Sequence, residues 1–274
     1  METETSMLKG KRSGAPEHDF TLAHYREILV AITASHPTLS FAEAAPLGRD
    51  LLARERFVLM RHDVELSLEA ALALARADHE AGIRSTFFLQ LGADYNLFEP
   101  ESAALVRELL DLGHDLGLHY DLELLEQAGS DAAVVARRMI DLMEAFWATR
   151  VHAASPHLPM RAGRTLEIEG VVDVYDPLYF SDVKYLSDST QSWREGVVTG
   201  LLSRYDRIQL LTHEYHWSEE GHAWDVLLLR AAMRKYERLY ARAEANIVRF
   251  REGLRLRQDR DREFRARMES RRDD

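Results

Sequence analysis

The chain contains no cysteine. That one absence removes a disulfide framework, a thiolate-ligated metal and a thiol nucleophile together, so any metal must sit on His, Asp or Glu. Nor does any stretch approach the roughly 18 consecutive apolar residues of a transmembrane helix, and no membrane span is expected. The opening METETSMLKGKRSGAPEHDF leads with acidic side chains and lacks the apolar core of about 7 to 15 residues that marks a secretory signal, which makes a cytoplasmic location the expectation. Positive charge is in deficit, with 35 Lys and Arg against 46 Asp and Glu for a net charge of -11. Such a body repels phosphate backbones, so nucleic acid is not an expected partner.

What is present suits one main α/β domain: 274 residues, 46% of them hydrophobic, are ample for a sizeable core. After a polar leader (1–20), expected to be mobile, TLAHYREILVAIT (21–33) spaces apolar groups for a helix with Thr21 as N-cap. A regular alternation follows. A strand is expected at 57–62, and a helix at 67–81 with Leu68, Leu72 and Ala75 on one face and Gly82 at its C′ position. STFFLQL (85–91) reads as a strand, PESAALVRELLDLG (100–113) as a helix closed by Gly113, and HDLGLHY (114–120) as the third strand. A helix at 131–149 with Ser130 as cap and a strand from Arg150 continue the series. Beyond residue 155 the strand candidates are VVDVY (171–175), LYFSDV (178–183) and RIQLLTH (207–213). Residues 223–250 return to a helical pattern, and 251–274 form an arginine-rich end read as a charged, solvated helix or disordered tail. Strands alternating with amphipathic helices imply a parallel sheet, open or closed into a barrel, in a domain spanning 21–250.

In such architectures the site lies at the C-terminal ends of the strands. The apolar strand FVLM ends in Arg61, His62, Asp63 and Glu65; others end in His119, Tyr120 and Asp121, in Ser155, Pro156 and His157, and in His213, Glu214 and His216. Taken singly, each has a plain explanation as a cap, a turn or a satisfied histidine. Their convergence from four strands favours one purpose, because a carboxylate and two imidazoles are what a divalent ion such as Zn²⁺ needs when cysteine is absent. His114, at the opposite end of its strand, is assigned to structure.

FVLMRHDVE (57–65), GIRSTFFLQL with the following YN (82–96), LLDLGHDLGLHYD (109–121), SPHLP (155–159), YLSDSTQSW (185–193) and IQLLTHEYHW (208–217) together resemble the polysaccharide deacetylase (NodB homology) superfamily, in particular its branch with a His-Asp-Val-Asp opening motif. The resemblance spans about residues 20–225, and Glu65 replaces the branch's second Asp. It implies a distorted (β/α) barrel, a divalent metal at the strand ends, and hydrolysis of an N-acetyl or similar amide, usually on an amino sugar; to this barrel the sequence pattern adds an N-terminal helical lead-in and a charged C-terminal helix.

In one register of the resemblance Asp63 is a metal ligand and His62 stands at the base position; in another Asp63 is the base and Glu65 the ligand. His119 is a ligand in both, and the further ligand is drawn from Glu65, Glu123 and His157. His213 matches the family's general acid, while Tyr120, Asp188, Trp193, Arg194, His216 and Trp217 are candidates for sugar contacts. Zn²⁺ is the expected ion, with Co²⁺, Mn²⁺ and Ni²⁺ as alternatives. The expected substrate is a soluble or carrier-linked sugar, and a homo-oligomer is compatible with the sequence. Two other readings stand beside this one: a cyclic imide or ureide amidohydrolase of the same superfamily, and a degenerate module that only binds sugar or a partner.

Overall fold

The computed structural model describes residues 20–127, 131–158 and 165–270. Helix α1 (Leu22–Ser35) starts at Thr21, whose side chain accepts from the His24 N–H. Strand β1 (Thr38–Leu39), helix α2 (Phe41–Ala44) and a 3-10 segment (Ala45–Ala53) lead to β2 (Phe57–Val64). Then come α3 (Leu68–Glu80), β3 (Thr86–Leu89), α4 (Pro100–Asp111), β4 (Asp115–Tyr120), α5 (Leu122–Gln127), α6 (Ala132–Trp147) and β5 (Ala153–Pro156). The order closes with β6 (Val172–Asp173), α7 (Pro177–Phe180), β7 (Lys184–Ser187), β8 (Arg207–His213) and the long α8 (Trp224–Ser270). Gly82 and Gly113 follow the C-caps of α3 and α4 at φ +73° and +92°, the left-handed region in which a side chain is strained.

All the strand pairings are parallel, in the order β6-β5-β4-β3-β2-β8-β7, with β1 beside the first half of β2. The sheet is strongly curled. Strands β2 and β5 stand three places apart, roughly 14 Å in a flat sheet, yet the Arg61 guanidinium on β2 lies 2.9 Å from Ser155 Oγ on β5. Among the described residues no strand joins β6 to β7, so the result is a distorted, open (β/α) barrel.

Strand β2 is buried along its whole length because both its faces are covered. Phe57 and Leu59 point into the barrel and pack with Phe88, Ala153, Phe41 and Tyr179. Val58 and Met60 face outward against α1 and α3 through Ile28, Ile32, Leu74 and Ala77. Gly117 on β4 is required by close packing, since a Cβ there would lie 2.4 Å from the Phe88 ring.

Two expectations change. LYFSDV is not a strand: Asp176 caps a helical turn by accepting from Leu178 N–H, with Pro177 at the first helical position, and the strand is instead Lys184–Ser187, beside β8. Ser130 lies outside the described residues, and the α6 cap is Asp131, which accepts from Ala133 N–H. The chain divides into compact units after Leu227, and α8 runs unbroken across residues 250 and 251.

Candidate functional site

Side chains alternate across a strand, and this places Arg61 and Asp63 on the barrel side of β2, with Glu65 in the turn just beyond it, while His62 points the other way. His62 is fully buried between β2 and α3, where its ring contacts Thr212 Oγ1 at 2.6 Å and Asp78 Oδ2 at 2.8 Å and stacks on Phe87. The expectation of a base at His62 is therefore corrected: it sits on the helix-facing side, in a polar network with Asp78, Ser85 and Tyr25.

At the C-terminal mouth three donor atoms converge. Glu65 Oε1 lies 2.9 Å from His157 Nδ1 and 3.3 Å from His119 Nε2, and the two imidazole nitrogens are 3.2 Å apart. For a tetrahedral ion with bonds of about 2.0 to 2.1 Å, neighbouring donors stand roughly 3.3 Å apart, so the three atoms already trace one face of such a site. The tautomer fits as well. His119 Nδ1–H donates to the Ser155 carbonyl at 3.0 Å, which leaves a lone pair on Nε2 where the triangle needs it. Burial opposes ionisation of Glu65, but its close contacts with His119 and His157 outweigh it and hold the carboxyl far below its usual range. The Glu65 hydrogen bond in turn raises the His157 pKa.

Asp63 stands beside the triangle, with Oδ2 3.8 Å from His119 Nδ1. That oxygen accepts from the Arg61 guanidinium at 2.7 Å and from Ser155 Oγ at 3.0 Å. Its other oxygen, Oδ1, is buried with no hydrogen-bond partner among the described residues, which is costly unless something outside the chain meets it. Burial favours the neutral acid, yet the adjacent Arg61 charge keeps Asp63 ionised. Arg61 is itself wholly buried, bonded also to Gln209 Oε1 and flanked by the Phe88 and Tyr175 rings.

His213 ends β8 directly across from Asp63 in the strand register. Its Nδ1 lies 2.7 Å from Asp188 Oδ1, so Nδ1–H is committed there and Nε2 carries the titrating proton. Burial disfavours the imidazolium, but the Asp188 charge prevails, and the His213 pKa is pushed up to about 9. Asp188 also accepts the His213 backbone N–H and the Trp217 indole N–H at 2.9 Å. Asp188, His213 and His216 offer a second convergence of donors. The Asp188 oxygens there already accept from the His213 and Trp217 N–H groups, so the cluster is tied together by hydrogen bonds of the chain itself.

Glu214, the next residue, is fully buried and accepts from the backbone N–H groups of Glu65, Leu66 and Ser67 at 3.1, 2.6 and 2.8 Å. It ties the turn that carries Glu65 to the end of β8. Burial, and then the nearby Glu65 charge, push its pKa up to about 7 against the pull of those donors.

Several sequence candidates are not brought to the cavity. Glu123 is exposed in the first turn of α5, where its N–H meets Asp121, and does not join the donor triangle. Tyr120 does line the small cleft beside His119, but its side chain is buried, with the hydroxyl donating to Asp173 and accepting from Leu166 N–H. Asp188, His216 and Trp217 are buried, and Trp193 and Trp217 pack with Phe20. Arg194 is exposed, with no ion pair among the described residues. Conversely, Arg61, Ser155 and Glu214 adjoin the candidate site although no role is assigned to them from sequence; for Arg61 the signal is the alternate spacing Arg61-x-Asp63-x-Glu65, and for Ser155 and Glu214 there is none. His114 is structural as expected, bonded to the Ala75 carbonyl and to Ser85 N–H.

No family model and no curated protein matches the chain. Among solved structures it is similar to the chitin deacetylase of the fungal pathogen Colletotrichum lindemuthianum, at 16% identity and a TM-score of 0.36 over 65% of this chain and 81% of that one. It is also similar to a mutant of a CE4 family pseudoenzyme with restored enzymatic activity, at 11% identity and a TM-score of 0.39 over 66% of this chain and 64% of that one. No helix among the described residues is long and apolar enough to cross a membrane.

Proposed function

We propose that the chain is a metal-dependent amide hydrolase of the polysaccharide deacetylase type that removes an acetyl or similar acyl group from an N-acylated amino sugar. The observation that carries this reading is the placement, at one barrel mouth, of the Glu65–His119–His157 donor triangle beside a buried carboxylate with a free oxygen. Glu65, His119 and His157 would hold the ion, and Asp63 takes the part of base. A divalent ion bound there would supply Lewis-acid polarisation of the carbonyl and a bound water acidic enough to be ionised near neutral pH.

The chain's own groups do the rest. Arg61 and Ser155 hold Asp63 by Oδ2, which leaves Oδ1 to accept the proton of the attacking water. His213, protonated through its contact with Asp188, donates from Nε2 to the departing nitrogen, since an amine is too basic to leave as an anion. A small cleft adjoining His119 and lined by Gln90, Leu91, Asp121 and Leu124 offers both polar and apolar surface to the substrate.

The test is a panel of N-acetylated amino sugars assayed for acetate release, with metal content measured alongside. His119→Ala should lose ion and turnover together. Asp63→Asn should keep the ion and lose about 10² to 10⁴ of the rate. Normal turnover in metal-free protein, or full activity of Asp63→Asn, would overturn the reading, and release of a ring-opened ureide without acetate would move the substrate to the cyclic amides.

A further inference from the structure

Helix α8 carries thirteen Lys and Arg against eight Asp and Glu, whereas residues 1–223 carry twenty against thirty-six. A basic helix of this length is ordinarily just a solvated one, but although Leu228, Leu239 and Val248 lie elsewhere, many of its apolar groups fall on one line. From Val226 to Phe250 they recur at alternating steps of three and four, through Leu229, Met233, Tyr236, Tyr240, Ala243 and Ile247. This is a seven-residue repeat sustained for four heptads, the pattern of a helix that supercoils about another. Every one of these side chains is exposed, with Leu229 at 61%, Tyr236 at 67% and Phe250 at 67%.

We propose that this stripe pairs with the same stripe of a second copy of the chain, as an antiparallel two-helix coiled coil whose two-fold axis passes near Arg238. The argument for a second copy is that the stripe is complementary to itself in this register. An antiparallel pair centred there sets Val226 against Phe250 of the second copy, Leu229 against Ile247, Met233 against Ala243 and Tyr236 against Tyr240. All the core layers are then apolar, and the two smallest residues each face a larger one, as close packing requires. On the flank, Arg230 meets Glu244 of the second copy, twice over by symmetry. A parallel, in-register pair is worse matched. It would stack Ala243 on Ala243, and continued along the helix it would set Arg257 on Arg257 and Asp261 on Asp261 in the core.

The experiment uses the full chain. Sedimentation equilibrium at micromolar concentration should give twice the 31.5 kDa of one chain, and Leu229→Glu should raise the dimer dissociation constant at least tenfold without changing the helical circular dichroism of the whole protein. Arg230→Glu should weaken the dimer, and Arg230→Glu with Glu244→Arg should restore it. Because the chain has no native cysteine, Leu239→Cys, beside the axis, should oxidise to a covalent dimer while Phe250→Cys should not. The reverse cross-linking pattern would overturn the register. A monomer at all concentrations would overturn the pairing, whether or not it binds vesicles containing anionic lipid.

Discussion

Asp188 accepts N–H groups from His213 and Trp217 while fully buried, and through that contact it governs the protonation of the group facing the cavity. The sign follows from the direction of the shift. The His213 pKa is raised from near 6.5 to about 9, so the proton that an acid must give is present at neutral pH and is lost as pH rises through about 9. The stability contributed by the His213–Asp188 pair is likewise complete below about 6.5, the ordinary histidine value, and lost as pH rises through the folded-state value near 9. Asp188→Asn should move the alkaline limb of the pH–rate profile from about 9 toward about 6.5. A profile unchanged in that variant would separate His213 from the acid's role.

Among the elements, β2 decides most. Its eight residues are all buried, and only the alternation of faces separates Asp63, in the site, from His62, outside it. The turn beyond β2 is held by Glu214 from the end of β8. Replacing that carboxylate by an amide leaves fewer acceptor sites for one buried and two half-buried N–H groups, at a cost of about 1 to 3 kcal/mol. Glu214→Gln should therefore lower the denaturation midpoint and, because the turn positions Glu65, weaken metal affinity about 10- to 100-fold. Calorimetric titration with Zn²⁺ alongside thermal denaturation checks both. Helix α8 shows the same dependence on context: its three-four spacing is written in the sequence, but it becomes a single stripe only because one unbroken helix runs from Trp224 to Ser270.

At the scale of the molecule, three strands must curl toward one point before Glu65, His119 and His157 form a ligand set, so an ion held by them would join β2, β4 and β5. Ion binding should stabilise the barrel by about 4 kcal/mol at a free concentration a thousand times the dissociation constant. Chelation should lower the thermal midpoint, and Zn²⁺ should restore it in the native chain but not in His157→Ala. An equal response to Zn²⁺ in that variant would remove His157 from the set.

The alternation of strands and helices, the caps at Thr21 and Gly82 and the polar strand ends were determined by the sequence itself, because each depends on neighbours within a few residues. The absence of cysteine likewise confined any ion to His and carboxylate ligands. What only the tertiary structure decided is which of those groups meet. Glu65, His119 and His157 are far apart in the chain, and their donor atoms come within 3.3 Å because the sheet curls. His62 and Asp63 are adjacent in the chain and end on opposite faces because the side-chain period of a strand is two. Asp188, Trp217 and Tyr120 are candidates for sugar contacts in the sequence, yet all three are buried and engaged in hydrogen bonds within the fold. Local propensity is a short-range quantity, whereas the donor set is a long-range one, set by the closure of the barrel.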